Sequence, residues 1–536
     1  MSAAPTKVLL VFPLFNRNSF WSFEAACKAV GARCPAPPLG LLTVAALLPQ
    51  TWEFKLVDRN AEPLEEKDIV WADLVMTGGM LPQRLDALAI IERCKSLGRP
   101  VCVGGPDATS SPDAYRSADF LVLGEAEGII DEFVSAWRSG DRRGVFEAEK
   151  FQADVTRSPL PRYDLLTFAH YLFIGVQFSR GCPFNCEFCD IIELYGQTPR
   201  SKTNEQMIAH LDRLYALGYR GHVDFVDDNL IGNKKALKLF LPILKAWQQK
   251  RGYPFKFSTE ASINLADDAQ LLTMMREANF FVIFVGVESP DADTLLSMQK
   301  KQNMRRSLEE SIFKIYAAGI FVLAGFIVGF DSEGDGVADG MIDCIRATSL
   351  PIAMVGLLTA LPNTQLTRRL ATEGRLAADF DAPLPERGDQ CTAGLNFAPL
   401  RPRREILKDY RDVLDSIYTP DAFFGRLATV GRALRRPTVS APSDFRALAR
   451  DVTFLFRLSW WMTINRPKVA ARFWPLFLSC ARNNPSALEC VVLMTGLYLH
   501  VGPFALRVVG DLDRQIAALD QGDQMAATLT RQATLA

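Results

Sequence analysis

An α/β fold in three parts, two parallel-sheet units followed by a helical region, is predicted by three observations. Short apolar runs alternate with helical patterns from residue 7 to about 140. The alternation resumes from about 170 to 375 in six repeats of about 30 residues. From about 376 onward strand-like runs stop and only helical patterns continue. Alternating strand and helix patterns make βαβ units, whose crossovers keep neighbouring strands parallel. The 536 residues exceed what one core serves, and 49% apolar with 23% charged residues suits a globular chain. The expected domains are residues 1–150, a linker 151–169, residues 170–375 and residues 376–536.

In the first unit the strand candidates are KVLLVFP, EFKLVD, ADLVMTGG, PVCVGG and ADFLVLGE. Three of them end in glycine, at Gly78-Gly79, Gly104-Gly105 and Gly124. Such a glycine serves either a tight βα turn or a ligand that approaches the backbone at the sheet edge. Three in register favour the ligand. A Pro/Arg-rich stretch, SPLPRYDLL, then links to the second unit. There the strand candidates are GVQFSRG, VDFVDDN, PFKFSTEAS, FVIFVGVES, FVLAGFIVGF and IAMVGLLTAL. Six βα repeats make a partial or full barrel, which places its chemistry on loops at the carboxyl ends of the strands.

The first of those loops carries CPFNCEFCDI, with Cys182, Cys186 and Cys189 spaced C-x3-C-x2-C. Thiolates at this spacing can converge on one metal centre. A structural zinc site wants four protein ligands, and no CxxC or His pair follows to complete this set. Iron–sulfur clusters take thiolates, commonly four; with three, one iron stays open to a small chelating molecule.

C-x3-C-x2-C after the first strand of a βα barrel resembles the signature of radical SAM enzymes. The resemblance implies a 4Fe-4S cluster on Cys182, Cys186 and Cys189, with S-adenosylmethionine on the open iron. One electron then yields a 5′-deoxyadenosyl radical. Phe188 resembles the family's aromatic near adenine. Asp227, Asp228 and Asn229 stand where the family usually has Gly-Gly-Glu. Glu260, and Glu288 with Ser289, resemble contacts to the methionine or ribose end, and Gly325 to Gly329 the strand beneath adenine.

An N-terminal α/β unit before such a barrel resembles the cobalamin-binding radical SAM enzymes, whose first domain is Rossmann-like. The phrases VFP, VGGPDAT and LGEAEG carry this likeness. It implies cobalamin contacts from Thr77, Gly78, Gly79, Gly104, Gly105, Gly124 and Glu125. The Asp-x-His-x-x-Gly signature of many cobalamin domains is missing. The four histidines are His170, His210, His222 and His500, none of them in this unit. CEFCDIIELYGQTPRSK, VDFVDDNLIGNKKAL and the C-terminal YRDVLDSIYTPDAFF resemble hopanoid C-methylases and bacteriochlorophyll side-chain methylases.

The resemblance implies methyl transfer to an unactivated carbon of a hydrophobic substrate, a polycyclic lipid or a tetrapyrrole. It also implies an external electron donor such as flavodoxin or ferredoxin. Two competitors stand beside it: radical SAM oxidation or cyclisation without methyl transfer, and a non-catalytic cobalamin or redox sensor. Methylthiolation of transfer RNA is disfavoured: it would need three more cluster cysteines in the first unit, where Cys94 lies in a helical run and Cys102 in a strand, and no RNA-binding module is apparent. A net charge of −1 also argues against nucleic acid as a partner.

The N-terminus lacks a long apolar signal-like core, and eleven cysteines point to a reducing, cytoplasmic setting. Residues 422 to 472 carry ten Lys/Arg against two Asp/Glu, interleaved with aromatics as in FLFRLSWWM. That composition reads either as a basic solvated face or as a functional one: a lid or dock for an apolar or anionic substrate, or a peripheral contact with an anionic membrane. The apolar stretch from Cys490 to Leu506, broken by His500, Gly502 and Pro503, is expected to be a buried helix first and a membrane-associated element second. The last fifteen or so residues are expected to form a frayed tail.

Overall fold

The computed structural model describes residues 5–16, 19–304, 307–382, 391, 394–435 and 445–535, without the side chains of 445–451, 454 and 522–535. Its first sheet holds β1 (Lys7–Phe12), β2 (Glu53–Asp58), β3 (Leu74–Gly78), β4 (Val101–Gly104), β5 (Phe120–Leu123) and β6 (Gly144–Glu147). All pair in parallel, in the order β2-β1-β3-β4-β5-β6. The sixth strand was not expected. GVFE alternates half-buried and exposed positions, so it reads weakly as a strand and forms because β5 offers an open edge. KVLLVF suits a central strand: helices cover both faces, so its four middle residues are all buried, whereas the edge strand β2 is buried only at Val57 and Asp58.

The second sheet begins with a short β7 (Ile174–Val176), followed by a separate hairpin, β8 (Ser179–Arg180) with β9 (Arg200–Ser201). Then come β10 (Gly221–Phe225), β11 (Phe255–Glu260), β12 (Phe280–Glu288), β13 (Phe321–Val328) and β14 (Ala353–Leu357). The order β14-β13-β12-β11-β10-β7 is sequential and parallel, the topology of a six-stranded partial barrel. Amphipathic helices pack outside it. Asn204–Ala216 begins with a reciprocal capping box between Thr203 and Gln206 and buries Met207, Leu211 and Leu214.

Helices form the C-terminal region: Arg403–Ile417, Pro420–Ala433, Phe445–Asn465, Pro467–Asn483 and Leu488–Leu535. The segment Pro485–Gln521, which contains Cys490 to Leu506, is long and apolar enough to cross a membrane by length and composition. Yet 67% of that window is buried inside the fold, and Val491, Met494, Tyr498, Val501 and Phe504 join the barrel's core. The expected frayed tail falls on residues whose side chains lie outside the described set. Gln390, Thr392 and Ala393, and 436–444 of the basic stretch, lie outside it too.

Candidate functional site

The three cysteines lie on the loop that the β8–β9 hairpin closes at its base. Gly181 enters this loop at φ +94°, and a Cβ there would sit 2.8 Å from the Gly196 carbonyl oxygen, so only glycine fits. The loop is tied to the barrel by the acidic end of β10. Asp227 accepts from the Phe178 N–H at 2.9 Å, from the Ser179 hydroxyl at 2.7 Å and from the Ser179 N–H. Asp228 accepts from Gly181 N–H at 3.2 Å, and the Asn229 amide lies 3.8 Å from Cys182 Sγ. Burial pushes Asp227 up to about 7 and Asp228 to about 6, against the donors that favour their charged forms. Asn185 and Glu187, inside the motif, bond Gln299 at 2.9 Å and Arg369 at 2.5 Å.

Each thiol is pushed up, first by burial. Neighbouring thiols add to it: Cys186 acts on Cys182, and both act on Cys189. Among the described residues no group of three His, Cys, Asp or Glu is arranged to hold a single metal ion. The fit to an iron–sulfur cluster rests on the donor set: three thiols within electrostatic reach, whose ionisation a cationic core would restore. Beside them Lys300 is buried, ion-paired with Glu288, and 5.9 Å over the Phe188 ring. Burial works against its charge, but Glu288 and Cys186 hold its pKa above the usual value. Glu288 adopts φ +64° where the β12–β13 register shifts, a bulge that re-aims the side chain.

Glu125 and Glu127 follow β5 in the first sheet and reach into the same hairpin. Arg180 meets Glu125 at 3.0 Å and Glu127 at 2.6 Å; Arg200 meets Glu125 at 2.9 Å. Burial alone would raise Glu127, but Arg180 holds it down at about 2. The glycine-rich strand ends therefore share an ion-pair clamp with the cysteine loop. At those ends a Cβ on Gly78 would lie 2.4 Å from the Gly104 carbonyl oxygen, so strand packing already requires glycine there. Gly79 and Gly105 adjoin, Gly124 N–H bonds Thr109 at 2.9 Å, and Thr77 donates its hydroxyl to Val11 at 2.9 Å. Low side-chain bulk along these ends is what a flat macrocyclic ligand requires.

The barrel lumen has two unlike walls. His222 and Asp224 on β10 and Lys256, Ser258 and Glu260 on β11 face inward, and Ser258 bonds both His222 and Asp224. Burial pushes Asp224 up to about 6; Glu260 is accessible at the end of β11 yet ringed by protein, and that desolvation, with the nearby Asp224, Asp228 and Glu288, pushes its carboxyl up. Opposite stand half-buried Phe284, Leu323 and Met354. The Phe284 ring lies against Gly325 and 5.4 Å from Trp21, which comes from the loop after β1. Gly329 N–H bonds Glu333 at 2.9 Å, and the Ser289 hydroxyl caps the next turn.

Sequence reasoning singled out the β10 acids without seeing that they hold the loop. It missed Arg180, Arg200, Lys300 and Trp21. Arg180 had one signal, its place two residues before Cys182; the others had none.

The Radical SAM superfamily model matches residues 176–345, and a domain of unknown function matches 364–513. An uncharacterized methyltransferase of Synechocystis sp. is 40% identical over 528 residues, 98% of this chain and 95% of the relative. The hopanoid C-2 methylase of Rhodopseudomonas palustris is 34% identical, over 88% of this chain and 89% of the relative. The solved cobalamin-dependent S-adenosylmethionine radical enzyme OxsB, with aqua-cobalamin and S-adenosylmethionine bound, superposes with a TM-score of 0.59 at 15% identity. That match covers 97% of this chain and 81% of the other, a likeness of fold.

Proposed function

The chain belongs to the radical SAM methylases that include the hopanoid C-2 methylase, and from that premise we propose that it methylates an unactivated carbon of a polycyclic lipid. Cys182, Cys186 and Cys189 would hold a 4Fe-4S cluster, with S-adenosylmethionine beside Phe188. Cobalamin would lie against Thr77, Gly78, Gly79, Gly104, Gly105 and Gly124, with Glu125 at the edge of that surface. When bound, these groups supply hydrogen abstraction and a methyl donor; the protein positions them and excludes water.

The chain's own residues divide that work. Asp227, Asp228 and Asn229 fix the cysteine loop to the barrel. Glu125 and Glu127, through Arg180 and Arg200, fix the same loop to the first sheet. Phe284, Leu323, Met354 and Trp21 offer an apolar ring system a wall, and Asp224 and Glu260 offer a polar group an acceptor. The observation that carries the proposal is the clamp: it brings the glycine-rich ends and the cysteine loop into one site. Likeness to a hopanoid methylase favours a polycyclic lipid over a tetrapyrrole. The reaction would run in the cytoplasm with a flavodoxin- or ferredoxin-like electron donor.

The test is anaerobic reconstitution with iron, sulfide, cobalamin, S-adenosylmethionine, a reductant and a hopanoid. The expected product is one methylene heavier, accompanied by 5′-deoxyadenosine and S-adenosylhomocysteine. Formation of 5′-deoxyadenosine with no gain in product mass would replace methyl transfer by another radical reaction. No S-adenosylmethionine cleavage at all would leave a sensor.

A further inference from the structure

The helix Phe445–Asn465 carries two opposed apolar faces. Leu458 and Met462 are buried against the body of the protein. On the outer side Val452 is 58% exposed, Phe456 65%, Trp460 63% and Ile464 60%. These four stand at a spacing of four residues, so they form one slowly turning stripe along the helix. Trp461 lies beside it, and Phe456 stacks on Trp460 with centroids 6.2 Å apart. The next helix, Pro467–Asn483, packs on the first and exposes Trp474 and Leu478. Soluble surfaces scatter large apolar side chains singly; a row of them marks a contact.

We propose that this outer face docks on an anionic lipid bilayer. Charge complementarity selects that occupant. The two helices hold five Lys/Arg and no Asp/Glu over residues 452–483, in a chain whose net charge is −1, and among the described residues only Arg472 of the five is ion-paired to a carboxylate, Asp421 at 2.6 Å, so positive charge is concentrated here. Arg466 and Lys468 are exposed where the stripe ends and the second helix begins, and Arg482 is exposed at that helix's far end. An apolar stripe rich in Trp and Phe, flanked by cations, is the composition of a helix that lies in the headgroup boundary. A second copy of the chain would press this basic surface against itself.

The surface also has a route inward. The helix Phe445–Asn465 packs on the helix Glu24–Val30, which directly follows Trp21 and Phe23. Trp21 reaches Phe284 in the lumen, and Phe23 lies 5.8 Å from His500. Docking would thus place the lumen's aromatic entrance against the lipid phase; this part rests on the lipid-methylase reading.

The test uses the full reconstituted chain and flotation with two vesicle types, pure phosphatidylcholine and phosphatidylcholine mixed with phosphatidylglycerol. The expected result is flotation with the anionic vesicles, weakened by salt, with tryptophan fluorescence quenched by brominated lipid. Phe456→Ser with Trp460→Ser should weaken partitioning by roughly tenfold for each ring. Arg466→Glu with Lys468→Glu should abolish the preference for anionic vesicles. No flotation, flotation unchanged in the ring variant, or a dimer that buries Trp460 would each overturn the proposal. Methylation of a hopanoid dispersed in detergent, unaltered in the ring variant, separates this failure from failure of the methylase reading.

Discussion

Replacing Glu127 by glutamine tests the clamp between the first sheet and the cysteine loop. The change keeps the side chain's size and removes its charge. Arg180, nearly buried, would keep Glu125 at 3.0 Å and Gln177 at 2.8 Å but lose its 2.6 Å partner. The magnitude follows from the carboxylate itself. Arg180 and Ser158 hold Glu127 at about 2, against an ordinary value of 4.5. At about 1.4 kcal/mol for each factor of ten, that gap is about 3 kcal/mol. Removing one partner of a buried ion pair costs about 3–5 kcal/mol, so two independent routes agree. An exposed pair would give at most about 1 kcal/mol, which the measurement can tell apart. The assay is urea unfolding of the reconstituted protein near neutral pH. The sign with pH is fixed: a depressed carboxylate stabilises above its unfolded value of 4.5 and loses that contribution as pH falls towards about 2. The difference between variant and native protein should hold constant from about pH 8 to about pH 6 and shrink only below about 4.5. A difference under about 0.5 kcal/mol near neutrality, or one that changes between about pH 6 and about pH 8, would refute the reasoning.

Asp227→Ala removes three hydrogen bonds that launch the cysteine loop and should destabilise the protein by about 3 kcal/mol. Iron and sulfide analysis should show poor cluster incorporation, whereas Asp227→Asn should recover part of it. Cys182→Ala, Cys186→Ala and Cys189→Ala should each abolish S-adenosylmethionine cleavage, read as 5′-deoxyadenosine. Any one that cleaves at the native rate would remove that cysteine from the ligand set.

Much of this architecture is legible in the residues because its signals are local. Strand runs, helix periods and the C-x3-C-x2-C spacing are properties of a few neighbouring residues, and they suffice for the parallel sheets, the barrel repeat and the three thiols. The weak edge strand GVFE escaped because its pairing partner, not its own pattern, makes it a strand. The clamp escaped for a different reason. Arg180 and Glu125 lie 55 residues apart and Arg200 and Glu125 75 apart, and a charge carries no mark of its distant partner.

The sequence by itself therefore determined the fold class, the helical region and the donor set for a cluster. Tertiary structure decided how that donor set is held and what surrounds it. It turned Asp227, Asp228 and Asn229 towards the loop's backbone and Cys182, and set Lys300 on Glu288. It gave the lumen a polar and an apolar wall, because which strand faces which emerges only when the sheet curls. It also decided which apolar face of Phe445–Asn465 the core covers and which it leaves to the outside. Periodicity can show that a helix has apolar faces; only packing settles which of them meets the protein.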